Sequence, residues 1–334
     1  MLMRRLIAYL VIPALCAATL CAPATLSAQP APAQPTSEEQ SEPEDDSRAK
    51  LITGALKFRS VGPAFMSGRI GDVAIDPVNP NTWYVAVASG GLWKTSNAGT
   101  TFKPIFDDKP SYSMGCVTID PSTHTTVWLG TGENNGGRHI GFGDGVYVSQ
   151  DAGKSWAHKG LDESEHISKI LVDPRDSDVV FAASQGPLWS AGGQRGLFKS
   201  ADGGKTWKLV LGPGLLGSAD QKLSDDERSA INEKSYTGVT DVVFDPANPD
   251  VMYAATHQRH RNVWAIINCG PETGIFKSTD GGDSWNRLSK GLPGGDMGKI
   301  SLQVSPQQHN YVYATIELPG RKGGFWRSDD SGAS

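Results

Sequence analysis

Basic stripes, metal-ligand clusters and internal apolar runs are all missing from this 334-residue sequence, and each absence removes a class of function. Lys and Arg number 31 against 36 Asp and Glu, for a net charge of −5. Arg4 and Arg5 give the first 28 residues +2 and residues 29–50 hold −4, which leaves about −3 for residues 51–334. A region so nearly balanced has no electrostatic footprint for nucleic acid, and none is expected as a partner. Of four cysteines only Cys116 and Cys269 lie beyond the N-terminal apolar stretch, too few for a disulfide scaffold. Whether those two pair is left open, because they fall in different repeats. Neither Gly-x-Ser-x-Gly nor His-Glu-x-x-His occurs, which excludes the commonest hydrolase motifs. His139, His257 and His260 are scattered over two loops, and Gly130-x-Gly132 is not followed by a helix. No metal, cofactor or phosphate cradle is therefore expected. After residue 28 no apolar run approaches the roughly 20 residues needed to span a bilayer, so no membrane insertion is expected.

What is present begins at the N-terminus. Arg4 and Arg5 precede an apolar run from Leu6 to Leu20, broken by Pro13, and then the small-residue segment Leu26-Ser27-Ala28. That order is expected of a signal peptide over residues 1–28, which would place the protein outside the cytoplasm, secreted or periplasmic. Residues 29–50 are Pro/Ala/Gln-rich and then acidic, without a large apolar side chain beyond the alanines. They read as a disordered linker. The folded region is expected over residues 51–334.

The main signal there is repetition. A box of the form Ser/Thr-x-Asp/Asn-x-Gly-x-Ser/Thr-aromatic runs Thr95-x-Asn97-x-Gly99-x-Thr101-Phe102. It returns with Asp151 and Trp156, Asp202 and Trp207, and Asp280 and Trp285, and a last copy carries Asp330. The first residues of successive boxes are 54, 51, 78 and 50 positions apart. The long interval holds a polar insertion near Gly212–Lys234, with a short helix expected around Ser224–Glu233. Before each box stands a turn such as Asp76-Pro77, Asp120-Pro121, Asp173-Pro174, Asp245-Pro246 or Ser305-Pro306, followed by a β-branched and aromatic run. Each repeat thus holds four short strands, A to D. The expected fold is all-β, a β-propeller of four-stranded blades with about five present and the last incomplete.

The box has a structural role. Its Asp or Asn accepts N–H groups of its own turn, its Gly permits positive φ, and its hydroxyls close the turn. One carboxylate per box is too few for calcium. The fifth box reaches Ser334 one residue before its expected Trp, and further blades are expected C-terminal to Ser334. Lys57–Pro63 is expected to be an outer strand that completes the last blade.

These boxes resemble the bacterial-neuraminidase repeat. The region from Phe58 onward is similar to large secreted bacterial proteins of the glycosyl-hydrolase-like and sortilin-like repeat group, particularly at Phe58-Arg59-Ser60-Val61-Gly62-Pro63 and Gly130-Thr131-Gly132-Glu133-Asn134-Asn135. The resemblance implies a propeller. It does not choose an activity, because sialidases, xyloglucanases, sortilin-type receptors and photosystem assembly factors share such boxes. Phe58-Arg59-Ser60-Val61 departs from the Phe-Arg-Ile-Pro motif of sialidases at two positions.

Strand parity places the A–B turns and boxes at one end, and the B–C loops and D–A connections at the other. The second to fourth B–C loops are long, polar and aromatic. Expected ligand-binding residues there are Glu133, Asn134, Arg138, His139, Trp189, Arg195, His257, Arg259 and Trp264. The first expectation is a binding propeller for a glycan or a peptide. The alternative is a glycoside hydrolase, which needs paired carboxylates. Glu133, Asp144 and Glu272 are the candidates by loop position.

Overall fold

The computed structural model describes residues 68–135, 137, 139–216 and 223–334. The expected leader, the linker, the Phe58–Pro63 segment and Arg138 lie outside the described residues. Turn signals and β-branched runs resolve into successive sheets. The first contains β1 (Ile70–Ile75), β2 (Trp83–Val87), β3 (Gly91–Thr95) and β4 (Lys103–Pro104). The second contains β5 (Met114–Ile119), β6 (Val127–Thr131), β7 (Val146–Ser149) and β8 (Ala157–His158). The third contains β9 (Ile167–Asp173), β10 (Asp176–Ser184), β11 (Gly196–Ser200) and β12 (Lys208–Leu211). In the fourth, β13 (Thr237–Asp245) and β14 (Asn248–Gln258) are followed by a separate hairpin, β15 (His260–Arg261) and β16 (Ile266–Ile267). The sheet then resumes with β17 (Gly274–Ser278) and β18 (Asn286–Leu288). The fifth has three strands, β19 (Ile300–Val304), β20 (Val312–Ile316) and β21 (Gly324–Ser328). Neighbours in each sheet pair antiparallel.

The sheets stack in chain order, with one apolar core between each adjacent pair. Tyr84, Phe106, Leu129 and Trp156 fill the first interval, and Trp128, Ile167, Ile170 and Phe198 the second. Phe181, Met252, Phe276 and Trp285 fill the third, and Tyr253, Ile275, Ile300 and Leu302 the fourth. Middle strands are covered on both faces, which is why Val127–Thr131 is buried at every position instead of alternating.

The first strands adjoin one another, and one side chain bridges each neighbouring pair. Asp72 accepts the Val117 N–H (3.0 Å), and Thr118 Oγ1 donates to the Ile170 carbonyl (2.8 Å). Ser168 Oγ donates to the Val239 carbonyl (2.9 Å), and Asp241 accepts the Leu302 N–H (2.8 Å). First-strand residues of all five sheets line one polar cleft of about 190 Å³, Asp72, Lys169, Asp241 and Ser301 among them, with Lys299 just before the fifth of these strands. The stack therefore curves around an axis with the first strands innermost.

Five equivalent bonds join the A–B turn of each sheet to its box: Ala98 N to Asn81 O, Ala152 N to Thr125 O, Gly203 N to Asp178 O, Gly281 N to Asp250 O and Ser331 N to Asn310 O, all 2.8–3.0 Å. The boxes share one hydrogen-bond pattern. In the third, Asp202 accepts the N–H groups of Lys205 and Thr206 (both 2.9 Å) and the Thr206 hydroxyl (2.6 Å), while Ser200 Oγ accepts Gly204 N–H (2.9 Å). Gly282 shows why the fifth box position is glycine. Its φ is +82°, and a Cβ there would meet the Phe181 ring of the preceding sheet at 2.6 Å. Lysine ammonium groups stitch one sheet to the next box: Lys94 to Ala152 O (2.8 Å), Lys199 to Gly281 O (2.9 Å) and Lys277 to Ser331 O (2.8 Å).

The expected insertion helix is α1 (Asp225–Asn232), started by a capping box between Ser224 and Glu227. Cys116 and Cys269 are both free thiols. Burial separates the box tryptophans, since Trp156 and Trp285 are buried whereas Trp207 is half-buried. Among the described residues, no helix is long and apolar enough to cross a membrane.

Candidate functional site

At the end opposite the boxes, the segment Glu133-Asn134-Asn135 after β6 is a hub that touches every other sheet. Arg69, in the segment entering β1, puts Nε and Nη2 on Glu133 Oε1. Gln185, after β10, donates to Asn134 Oδ1. Arg259, just past β14, donates from Nη1 to the Asn135 carbonyl (2.9 Å). Lys299, entering β19, donates to the Asn134 carbonyl (2.7 Å) and Oδ1 (3.2 Å). Gly132 lets the hub form. Its φ is +86°, and a Cβ would overlap the Glu165 carbonyl of the neighbouring D–A connection.

The hub is buried yet incompletely hydrogen-bonded, which is costly for polar groups. Glu133 Oε2, Gln185 Oε1, the Nδ1 atoms of His166 and His257, and both Nε and Nη2 of Arg259 are buried with no partner among the described residues. Arg259 is only 1% exposed. Burial, with Arg195 adding like charge, pushes its guanidinium down to about 9. Burial and then Arg259 push His166 down to about 3, and His257 moves to the same value for the same reasons. Burial and then Arg259 bring Lys299 down to about 8. Glu165 is half-buried, and burial raises its carboxyl above the ordinary glutamate range despite Arg195 and Arg259. It also holds a left-handed backbone (φ 52°), the kind of strain that collects at functional positions.

The structure thus brings Glu133, Asn134, His257 and Arg259 together. Arg195 lies behind them, and its guanidinium is committed to the carbonyls of Gln185 (2.8 Å), Gly192 (2.7 Å), Ser190 (2.6 Å) and Pro187. It organises the third B–C loop, with four of its five N–H donors committed to that loop's carbonyls. Asp144 accepts the Tyr147 hydroxyl (2.7 Å) and the Thr131 hydroxyl (3.2 Å), while Glu272 accepts the Thr237 hydroxyl. His139 is exposed. Trp264 is 89% exposed at the tip of the β15–β16 hairpin, where Asn262 Oδ1 caps the turn by accepting the Trp264 (2.9 Å) and Ala265 (2.8 Å) N–H groups. Trp189 is 53% exposed, with the Arg261 guanidinium 5.9 Å from its ring.

Five hub residues, Arg69, Glu165, His166, Gln185 and Lys299, were reachable only in part from sequence. Gln185 stands in a long B–C loop. Glu165 and His166 stand in a D–A connection, which strand parity places at the same end. Arg69 and Lys299 precede first strands, where nothing local marks them.

No protein-family profile matches this chain. It is similar to a xyloglucanase of Hypocrea jecorina, 25% identical over 241 residues that make up 65% of this chain and 25% of that protein. A Paenibacillus xyloglucanase is 26% identical over 190 residues, 56% of this chain and 16% of that protein. One from Acetivibrio thermocellus is 24% identical over 290 residues, with 65% and 32% covered. The chain spans about a quarter of the length of the curated relatives it matches. Two crystal structures share its fold. An ancestral GH74 enzyme has a TM-score of 0.54 at 17% identity, covering 78% of this chain and 30% of that one. The Niastella koreensis GH74 enzyme has 0.52 at 19%, covering 80% and 37%. The likeness establishes an all-β architecture of antiparallel, mostly four-stranded sheets of the β-propeller type.

Proposed function

We propose that this chain is part of a secreted glycoside hydrolase of the xyloglucanase type, and that the hub end is the surface where a xyloglucan-like polysaccharide is bound and cleaved. The observation that carries this reading is the similarity to xyloglucanases over more than half of the chain, on a shared fold. The Asp-box placement, with residues 1–28 as leader, 29–50 as linker and 51–334 as propeller, is the finer part of the proposal.

Glycoside hydrolysis usually needs one carboxyl that is protonated and one that is ionised. Glu165 suits the proton donor, because burial favours its neutral form. Asp144 is assigned as the second carboxylate, since its loop meets Glu165 through the bond from Gly143 N to the Glu165 carbonyl (2.7 Å). Glu133 fits less well, because its carboxylate is already ion-paired with Arg69. Trp189 and Trp264 offer faces for sugar rings, and the exposed His139 belongs to the adjoining rim.

The test is release of reducing ends from xyloglucan by the full chain. Glu165→Gln and Asp144→Asn should each lower kcat by about 10²- to 10⁴-fold with little change in KM. A second reading, a glycan-binding surface without chemistry, is favoured by the projecting Trp264. Xyloglucan retained in affinity electrophoresis but left uncleaved would select it.

A further inference from the structure

We infer that the unmatched edge of Arg259 receives a carboxylate, that of a uronic-acid residue in the bound glycan. This deepens the glycan reading and rests on it. Nε and Nη2 form one edge of a guanidinium, two parallel donors spaced to match the two oxygens of a carboxylate. The chain shows that geometry at its opposite end, where Arg175 Nε and Nη2 donate to Asp173 Oδ1 (2.9 Å) and Oδ2 (2.7 Å). In Arg259 the same edge is buried and has no partner among the described residues, while Nη1 is held by the Asn135 carbonyl. The side chain is thus anchored at one nitrogen, with its two-donor edge left without an acceptor among those residues.

The surroundings favour an anion over a neutral hydroxyl pair. Arg195 and Lys299 both act on Arg259 or are acted on by it as like charges. Among the described residues no carboxylate lies at ion-pair distance from Arg259: Glu165 acts on it only from farther off, and Glu133 is already paired with Arg69. A buried guanidinium with no counter-charge at ion-pair distance is costly, and a ligand carboxylate would supply both that charge and the two missing acceptors. Lys299 and Asn134, which flank Arg259 in the hub, also line the axial cleft, and this is the approach for such a group.

The experiment uses the full chain and four probes, sodium glucuronate, glucose, acetate and chloride, read by calorimetric titration and by thermal shift. Glucuronate should bind at least about tenfold more tightly than glucose and raise the melting temperature, with acetate giving a smaller rise and chloride none. Arg259→Lys keeps the charge but loses the two-donor edge and should weaken glucuronate about 10- to 100-fold. Asp202→Asn, in a box at the opposite end, should keep the preference for acid over neutral sugar, which separates loss of the fork from general damage. Equal responses to glucuronate and glucose, equal responses to chloride and glucuronate, or full retention by Arg259→Lys would each overturn the inference. Cleavage of xyloglucan with no preference for glucuronate would overturn it while leaving the hydrolase reading intact. Glucuronate binding by a chain that neither cleaves nor retains xyloglucan would support the fork and sink the hydrolase.

Discussion

The two ends of the stack treat polar groups in opposite ways. At the box end a carboxylate or amide meets nearby donors, and the same bonds recur in each repeat: Asp151, Asp202, Asp280 and Asp330 each accept a backbone N–H and a hydroxyl four residues on. Asn97 keeps the backbone bond (2.9 Å) and turns its amide to donate to Thr101 Oγ1 (2.9 Å). At the hub end no pattern repeats, and Arg259, His166, His257 and Glu133 are buried with atoms left unmatched. Local, repeated satisfaction is what a scaffold needs. Buried groups held short of satisfaction are stabilised only when something else completes them, and that is the signature of a site.

The largest effect should come from breaking the packing that both ends depend on. Trp285 is 4% exposed between the third and fourth sheets, with its ring N–H on the Gly282 carbonyl (3.1 Å). Trp285→Ala should cost about 3–5 kcal/mol in urea unfolding. Trp207→Ala should cost less, because its ring is half-buried, although its N–H reaches the Lys159 carbonyl (2.7 Å). Equal losses at the two positions would mean that burial does not set the scale.

Acid should weaken the hub before it weakens the boxes. His166 and His257 are neutral in the folded chain, with values near 3, whereas an unfolded histidine titrates near 6.5. The unfolded state therefore takes up protons first, and stability declines as pH falls below about 6.5. Thr206 and its neighbours hold the Asp202 carboxyl below the usual range, as the matching hydroxyls and N–H groups do for Asp151 and Asp330. Stability from a depressed carboxyl is present above about pH 4 and is lost as pH falls through the lower folded value. Urea midpoints at pH 7, 5.5 and 4.5 should fall steadily for the parent and flatten for a His166→Asn/His257→Asn double variant. An unchanged slope in that variant would show that these two histidines do not set the decline.

A smaller effect sharpens the box side. Asp202→Ala should lower the melting temperature by a few degrees and Asp202→Asn by less, since Asn97 already serves in the first box. Neither should alter glycan binding, and a binding loss at constant melting temperature would place the site at the wrong end.

The contrast also explains what could be read before the structure. The boxes were legible because each satisfies itself within seven residues, so Ser200-x-Asp202-x-Gly204-x-Thr206 carries its own explanation. Parity then located both ends, and the five A–B-to-box bonds agree with it. The hub was legible only where it coincided with a long loop, as at Glu133 and Arg259. Asn134 contacts Lys299 across 165 positions, and no local pattern encodes such a pairing. Composition marked Arg195 as a ligand-binding residue, yet its partners are four carbonyls of its own loop. Sequence shows the charge but not which acceptors fold around it.

One variant tests the central contrast most directly. Arg259→Met keeps the buried length and removes the unmatched charge, and replacing buried charge with fitting apolar volume is often neutral or stabilising. Thermal unfolding of this variant without any added ligand should occur at or above the parent's melting temperature, in opposition to Asp202→Ala. A drop as large as that of Asp202→Ala would show Arg259 to be part of the scaffold, and the distinction between the two ends would fail.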